Sequence, residues 1–188
     1  MVRNFDDRPV PPAVVERLLL NANRAPSAGF TQGCELLVLE GPEQTARFWA
    51  ASVPPEGGGA RRSWPGVLRA PLLIVVMSSE QAYRDRYSEP DKRGLTAGSA
   101  AEAWPVPWWH VDAAFTALLA LLSAVDQGLS ALFFGVSDPA GLRSEFAIPD
   151  TFVPTGALAV GYALEDRPAA SVGRGRRPLK EVVHRGRW

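Results

Sequence analysis

The 188-residue chain reads as a single layered domain of α/β or α+β class. Three observations predict this. Apolar runs of strand length alternate with helical patterns, no tandem repeat is present, and no shift in composition marks an internal boundary. At this length one core buries roughly two-thirds of the surface that the unfolded chain exposes. Hydrophobic residues make up 46% and charged residues 21%, which places the chain among ordinary globular proteins.

Pro11 and Pro12 open a helix whose apolar positions are Val14, Val15, Leu18, Leu19 and Ala22. Proline costs little there because its missing donor would be unpaired in a first turn, and the helix is expected to stop before Pro26. Glu35 to Glu40, ELLVLE, reads as a short and largely buried strand, and Glu43 to Ala51 as a second helix. Val53 to Gly66 is rich in Pro and Gly and reads as a loop. Leu72 to Met77, LLIVVM, has no polar face and suits a central strand covered on both sides. Ser78 to Pro107 is the least regular stretch, expected to form mobile loops with at most one short helix. Trp108 to Gln127 carries the strongest helical signal, with Gly128 as its C-terminal cap. Its middle is apolar nearly all round, which predicts burial from several sides. Leu129 to Val136 is a further strand, Pro139 to Phe146 a short helix and Gly156 to Tyr162 another apolar strand. From Glu165 onward the chain is a polar, basic tail.

Formal net charge is zero, so no global field draws the molecule to nucleic acid or to an anionic membrane. One cysteine, Cys34, rules out an intramolecular disulfide and reads as a small buried hydrophobe. Two distant histidines, His110 and His184, make a zinc site within one chain untenable. The opening MVRNFDDRPV lacks the apolar run of a signal peptide. The longest apolar stretch, Val111 to Val125, is interrupted by Asp112, Thr116 and Ser123 and falls short of the about 20 residues of a membrane span. The expectation is a soluble, reduced, cytoplasmic protein.

Neither the dinucleotide G-x-G-x-x-G after a strand nor the phosphate-loop pattern occurs. Gly57-Gly58-Gly59 follows no strand and reads as a flexible connection. No G-x-S-x-G elbow is present, and His110 and Asp112, two apart on a helix, point to different faces, so a hydrolytic triad has no support.

Four segments remain: Arg3 ahead of the first helix; Ala25-Pro26-Ser27-Ala28-Gly29-Phe30-Thr31-Gln32 at a helix-to-strand junction; Gly128-Leu129 leading through a strand to Phe134-Gly135-Val136-Ser137-Asp138; and Gly173-Arg174-Gly175-Arg176-Arg177-Pro178-Leu179. Singly each has a plain structural explanation. In this order and spacing they resemble the nitroreductase family over nearly the whole chain. The Ala147-Ile148-Pro149 turn, the strand ending Gly161-Tyr162 and a tail reading RRPLKEVVH add to the resemblance.

The resemblance implies an α+β fold, an α/β/α sandwich around a mostly antiparallel sheet. It implies an interlocked homodimer holding two FMN molecules between its subunits. Residues 1–188 would form one such domain, with the basic tail from 165 reaching the partner. Arg3 matches the family's N-terminal phosphate motif, and Arg174 and Arg176 its C-terminal basic pair. Fixed arginines with bidentate geometry suit a flavin phosphate carrying close to two negative charges. Gly173 to Trp188 holds six basic residues and one acid, Glu181. RNA contact by this tail is disfavoured by zero net charge and by the lack of basic–aromatic interleaving. Pro26, Ser27 and Gln32 match the segment beside the flavin. Gly135 and Val136 match the place where a backbone N–H meets flavin N5.

This chain departs from the family pattern in three ways. No Arg precedes the residue matched by Arg3. Phe30 replaces the usual Asn, and either stacks on flavin or fills core. The family residue that reaches the flavin pyrimidine aligns with Arg61, Arg62 or Ser63. Trp104, Trp108 and Trp109 either pack in the core or dimer, or form a lid over the flavin where substrate lies.

The expected activity is an FMN-dependent oxidoreductase that takes hydride from NAD(P)H and passes it to an electron-poor small molecule, a nitroaromatic, quinone or enone, in a ping-pong cycle. No side chain acts as acid or base in it. A flavin-binding protein with little turnover and a substrate dehydrogenase or oxidase variant stand as alternatives.

Overall fold

The structure, a computed structural model, describes residues 1–53, 64–92, 104–167 and 169–188. Helix α1 spans Pro12–Ala22 and has Pro in its first turn, as the sequence requires. Strand β1 is Cys34–Glu40, helix α2 Gly41–Ala51 and strand β2 Leu72–Ser78. Helix α3 follows at Glu80–Ser88 and helix α4 at Trp108–Asp126. The fold is completed by strand β3 (Ser130–Phe134), helix α5 (Pro139–Phe146), strand β4 (Val153–Gly161) and a short helix α6 (Leu179–Val182) in the tail.

The four strands form one sheet in the order β1-β2-β4-β3, and every pairing is antiparallel. Successive side chains of β2 point to opposite faces, and all seven of its residues are buried. On one face Leu72, Ile74 and Val76 pack with Leu158 and Val160 against Val15 and Leu18 of α1 and the alanines of α4. On the other, Leu73, Val75 and Met77 pack with Ala157 and Ala159 against Phe48 and Trp49 of α2, Leu142 of α5, and Phe5. The chain is therefore an α+β sandwich with a helical layer on each side of the sheet. The register between β2 and β4 shifts between Val76 and Met77, which pair with Gly156 and Pro154 and leave Thr155 as a bulge.

The stretch after Ser78 begins with the nine-residue helix α3, the short helix that this stretch was expected to allow. Ser79 caps it by accepting the Ala82 backbone N–H at 3.2 Å, and Tyr83 is its single buried side chain. A helix with so few apolar residues leaves little periodicity to read. Residues 93–103 of that stretch lie outside the described residues, as does most of the loop expected between Val53 and Gly66.

One expectation needs correction, and it concerns α4. It is long and apolar enough by length and composition to cross a membrane, but it lies along the sheet. Its sheet-facing residues are small: Ala113, Ala117, Ala120 and Ala124. The large residues Phe115, Leu118, Leu122 and Val125 face outward, 42–56% exposed. In the single chain the helix is buried on one side only. Gly128 ends it with φ 74°, and the Leu129 backbone N–H returns to Ala124 O at 2.9 Å.

Candidate functional site

The N-terminal segment crosses the end of the sheet. Val2 N–H donates to Ala131 O at 3.3 Å and Asp6 N–H to Tyr162 O at 2.9 Å, while Phe5 bridges Ala163. This fixes Arg3. Its backbone N–H donates to Asp166 Oδ2 at 2.7 Å, and its guanidinium carbon lies 4.9 Å from the centre of the Trp64 ring. Arg167 stacks on the same indole at 4.4 Å, so two guanidinium groups share one aromatic ring.

Arg3 and Trp64 border a groove of about 210 Å³ that runs past Trp49, Val67 and Leu68 to Leu132, Phe133 and Phe134 of β3. Trp49 stacks on Phe134 at 5.3 Å, and among the described residues its buried Nε1–H has no hydrogen-bond partner. Gly135 follows Phe134 directly, and a Cβ there would meet no atom within 4 Å. The groove thus joins a cation to an aromatic lining that ends at Phe134, one residue before Gly135.

Pro26, Ser27 and Gln32 line a separate, smaller pocket of about 50 Å³, together with Cys34, Tyr83, Asp112 and Thr116. The loop is sharply bent. Gly29, Phe30 and Gln32 have φ of 64°, 55° and 55°, a left-handed conformation that a bulky residue adopts only at a cost. Several contacts hold it. Ser27 Oγ accepts the Gln32 backbone N–H at 3.0 Å, Arg86 Nε donates to Gly29 O at 3.0 Å, and Asp112 Oδ2 accepts the Ala28 backbone N–H at 2.7 Å. The side chain of Phe30 is 75% exposed, so the core-filling reading of this residue does not hold.

Arg174 and Arg176 lie on the exposed tail and take no part in lining the groove. Trp104 and Trp109 pack edge-on and tilted with Tyr83 and Tyr87, at ring separations of 5.0–6.4 Å. Trp108 is exposed and continues the outward stripe of α4. Arg61, Arg62, Ser63 and the Gly57-Gly58-Gly59 run lie outside the described residues.

His110 and Asp112 do diverge. His110 Nδ1 lies 3.1 Å from Ser78 Oγ and 3.4 Å from Thr155 Oγ1, the bulged residue, while Asp112 faces Tyr83 and Ala28. Cys34 is partly buried, and burial pushes its thiol above the ordinary value, with Asp112 and Glu35 adding to the rise and a hydrogen bond from Thr116 opposing it. A thiol held protonated in this way is a poor nucleophile. Among the described residues no cluster of His, Cys, Asp or Glu is suited to a metal ion.

The family model for the nitroreductase family matches residues 1–162. The chain belongs to the nitroreductase family. A curated relative, an NADPH-dependent oxidoreductase of Staphylococcus aureus (strain MRSA252), is 24% identical over 194 residues, covering 100% of this chain and 70% of the relative. Among solved structures, a nitroreductase family protein from Clostridium difficile 630 superposes with a TM-score of 0.70 at 24% identity, covering 100% of this chain and 93% of that one. An FMN-dependent nitroreductase from Clostridium difficile R20291 gives a TM-score of 0.69 at 19% identity, covering 100% and 94%. At these identities the likeness is one of fold.

Within this nitroreductase-family domain the sequence reading missed the residues that fix the site from a distance. Trp64 was passed over because its guanidinium partners lie at both ends of the chain. Arg86 and Asp112 hold the 26–32 loop from positions 57 and 84 residues away, and Tyr83 acts through Asp112. A polar residue on the sheet side of an otherwise apolar helix was the available signal at Asp112.

Proposed function

We propose that this domain is an FMN-dependent oxidoreductase that uses NAD(P)H to reduce electron-poor small molecules. The observation that carries the reading is the groove that runs from Arg3 along an aromatic lining to Phe134, the residue before Gly135. Asp166 holds the backbone of Arg3 and Trp64 underlies its guanidinium, which suits that side chain to neutralise a phosphate. The lining beside it is largely apolar and aromatic, which suits a flavin ring. The backbone of Gly135 and Val136 would direct an N–H at flavin N5. Bound FMN would supply hydride chemistry between a reduced nicotinamide and an acceptor of nitroaromatic, quinone or enone type, while Arg3 would hold its phosphate. No side chain is required to shuttle a proton, and the ping-pong order follows from one site serving both reactants in turn.

The site is assigned to the seam of a homodimer. The groove, at about 210 Å³, is smaller than the roughly 300–1,000 Å³ of a typical ligand cavity and needs a second wall. The loop with Pro26, Ser27 and Gln32 opens into a different pocket and shares no lining residue with the groove. A second copy supplies what is missing. On the surface, α4 presents Trp108, Phe115, Leu118, Leu122 and Val125 at alternating spacings that repeat every seven residues, the seam of one helix packing on another. The tail carries exposed Leu179, Val182 and Val183 beside Arg174 and Arg176, an apolar face that calls for a surface to cover it. On a partner, that tail would bring its arginines to the phosphate.

An absorbance spectrum of the purified protein, taken before and after adding FMN and again after anaerobic NADPH, tests this reading. A bound-flavin band that bleaches with NADPH and returns when a quinone is added is the expected result. A protein that neither carries nor takes up FMN would refute it, and a bound flavin that no nicotinamide reduces would point to a binding protein or an oxidase.

A further inference from the structure

The geometry points to Asp112 as the positioning residue of the Pro26–Gln32 loop: we propose that its buried carboxylate sets the loop in the bent form that meets flavin. The functional half of this inference rests on the flavin reading above. Asp112 is 4% exposed. One oxygen, Oδ2, accepts two hydrogen bonds, from the Ala28 backbone N–H at 2.7 Å and from the Tyr83 hydroxyl at 2.6 Å. None of the ion pairs among the described residues includes it.

A buried carboxylate with no cation beside it is costly to keep, and an apolar side chain would fill the same space without that penalty. What the carboxylate gains is a charge-assisted bond to a backbone N–H, shorter and stronger than a neutral one. That N–H belongs to the residue between Ser27 and the strained turn at Gly29 and Phe30. Left-handed backbone persists only where the surroundings over-determine it. Here the turn is clamped on both sides. Arg86 holds the carbonyl of Gly29, and Asp112 holds the N–H one residue earlier. Tyr83 also packs against Gly33, where a Cβ would stand 2.7 Å from its ring, so the hydroxyl that orients Asp112 and the ring that supports the end of the loop belong to one side chain.

Hydrogen exchange of the Ala28 amide in flavin-free protein, paired with FMN titration, tests the inference on wild type, Asp112→Leu, Asp112→Asn and Tyr83→Phe. Asp112→Leu is expected to speed exchange at Ala28 and to weaken FMN, each by roughly tenfold or more, because a buried N–H loses its charged acceptor. Asp112→Asn keeps an acceptor oxygen and should recover most of both losses. Tyr83→Phe leaves the Ala28 bond in place and should change exchange there by no more than about threefold. Unchanged exchange at Ala28 in Asp112→Leu overturns the proposal, as does faster exchange with undiminished FMN affinity. Should Asp112→Leu fail to fold, Asp112→Ala, which also removes the acceptor, decides: it must show faster exchange and weaker FMN binding in parallel, and wild-type behaviour in both overturns the proposal. If the wild type binds no FMN, the flavin reading falls, and exchange at Ala28 still decides whether Asp112 anchors the loop.

Discussion

Ser27 Oγ accepts the backbone N–H of Gln32 at 3.0 Å, closing a loop in which Gly29, Phe30 and Gln32 all have positive φ. Two of those three carry a side chain, so the loop stores backbone strain. Its sequence and its conformation disagree most at Phe30.

Asn tolerates the left-handed conformation and a bulky aromatic does not. Phe30→Asn should therefore stabilise the flavin-free protein by about 1 kcal/mol in urea unfolding. The ring is 75% exposed and has little packing to lose. A clear loss of stability would mean that the ring carries packing after all.

Glycine is required at position 29 for two reasons, φ of 64° and the Tyr87 ring, whose Cε2 would lie 2.9 Å from a new Cβ. At Gly128 φ is 74° but the surrounding space is open. Gly128→Ala should cost about 1 kcal/mol and Gly29→Ala distinctly more, in the same unfolding experiment. Gly29→Ala should also weaken FMN, whereas Gly128→Ala should not. Equal costs would show that Tyr87 yields readily.

The outward stripe of α4 carries the dimer assignment. Leu118→Glu combined with Leu122→Glu should convert a dimer to a monomer in sedimentation equilibrium, since the seam would bury four like charges. Helical content should stay close to wild type, because both positions are about half exposed in the single chain. A dimer that survives the double substitution would place the interface elsewhere.

Burial, followed by the hydrogen bond to Asp112 and that residue's charge, pushes the Tyr83 phenol well above its ordinary value of 10.0. The folded state thus holds this proton more tightly than the unfolded chain does. Stability from this group is intact below pH 10 and falls as pH rises beyond it, where only the unfolded chain releases the proton. Thermal midpoints between about pH 9 and pH 11 should decline more steeply for wild type than for Tyr83→Phe. Parallel declines would remove Tyr83 as a source of the alkaline loss.

Much of the fold was legible because burial imposes a pattern on sequence. The run Leu72–Ser78 had to be covered on both faces, and α1 and α2 cover it from opposite sides. Pro139 and Phe146 bound α5 as read, and the Asp138 side chain caps the helix by accepting the Gly141 N–H at 2.8 Å. The bounds of helix α3 could not be read because a helix with one buried residue has almost no apolar period. The outward face of α4 escaped because apolar residues look alike whether they meet the sheet or another molecule. The site was legible only as separate segments. Ala28 and Asp112 are 84 residues apart, and nothing local in either stretch announces their hydrogen bond.

The central claim is that fixed arginines, led by Arg3, hold the phosphate of a flavin lying along the groove to Gly135. Titrating flavin-free protein with FMN and with riboflavin, which has the same ring system and no phosphate, tests it most directly. FMN should bind about 100-fold more tightly, the worth of two charged hydrogen bonds, and Arg3→Ala should remove a large part of that difference. Equal affinity for the two flavins, unaltered by Arg3→Ala, would contradict the account.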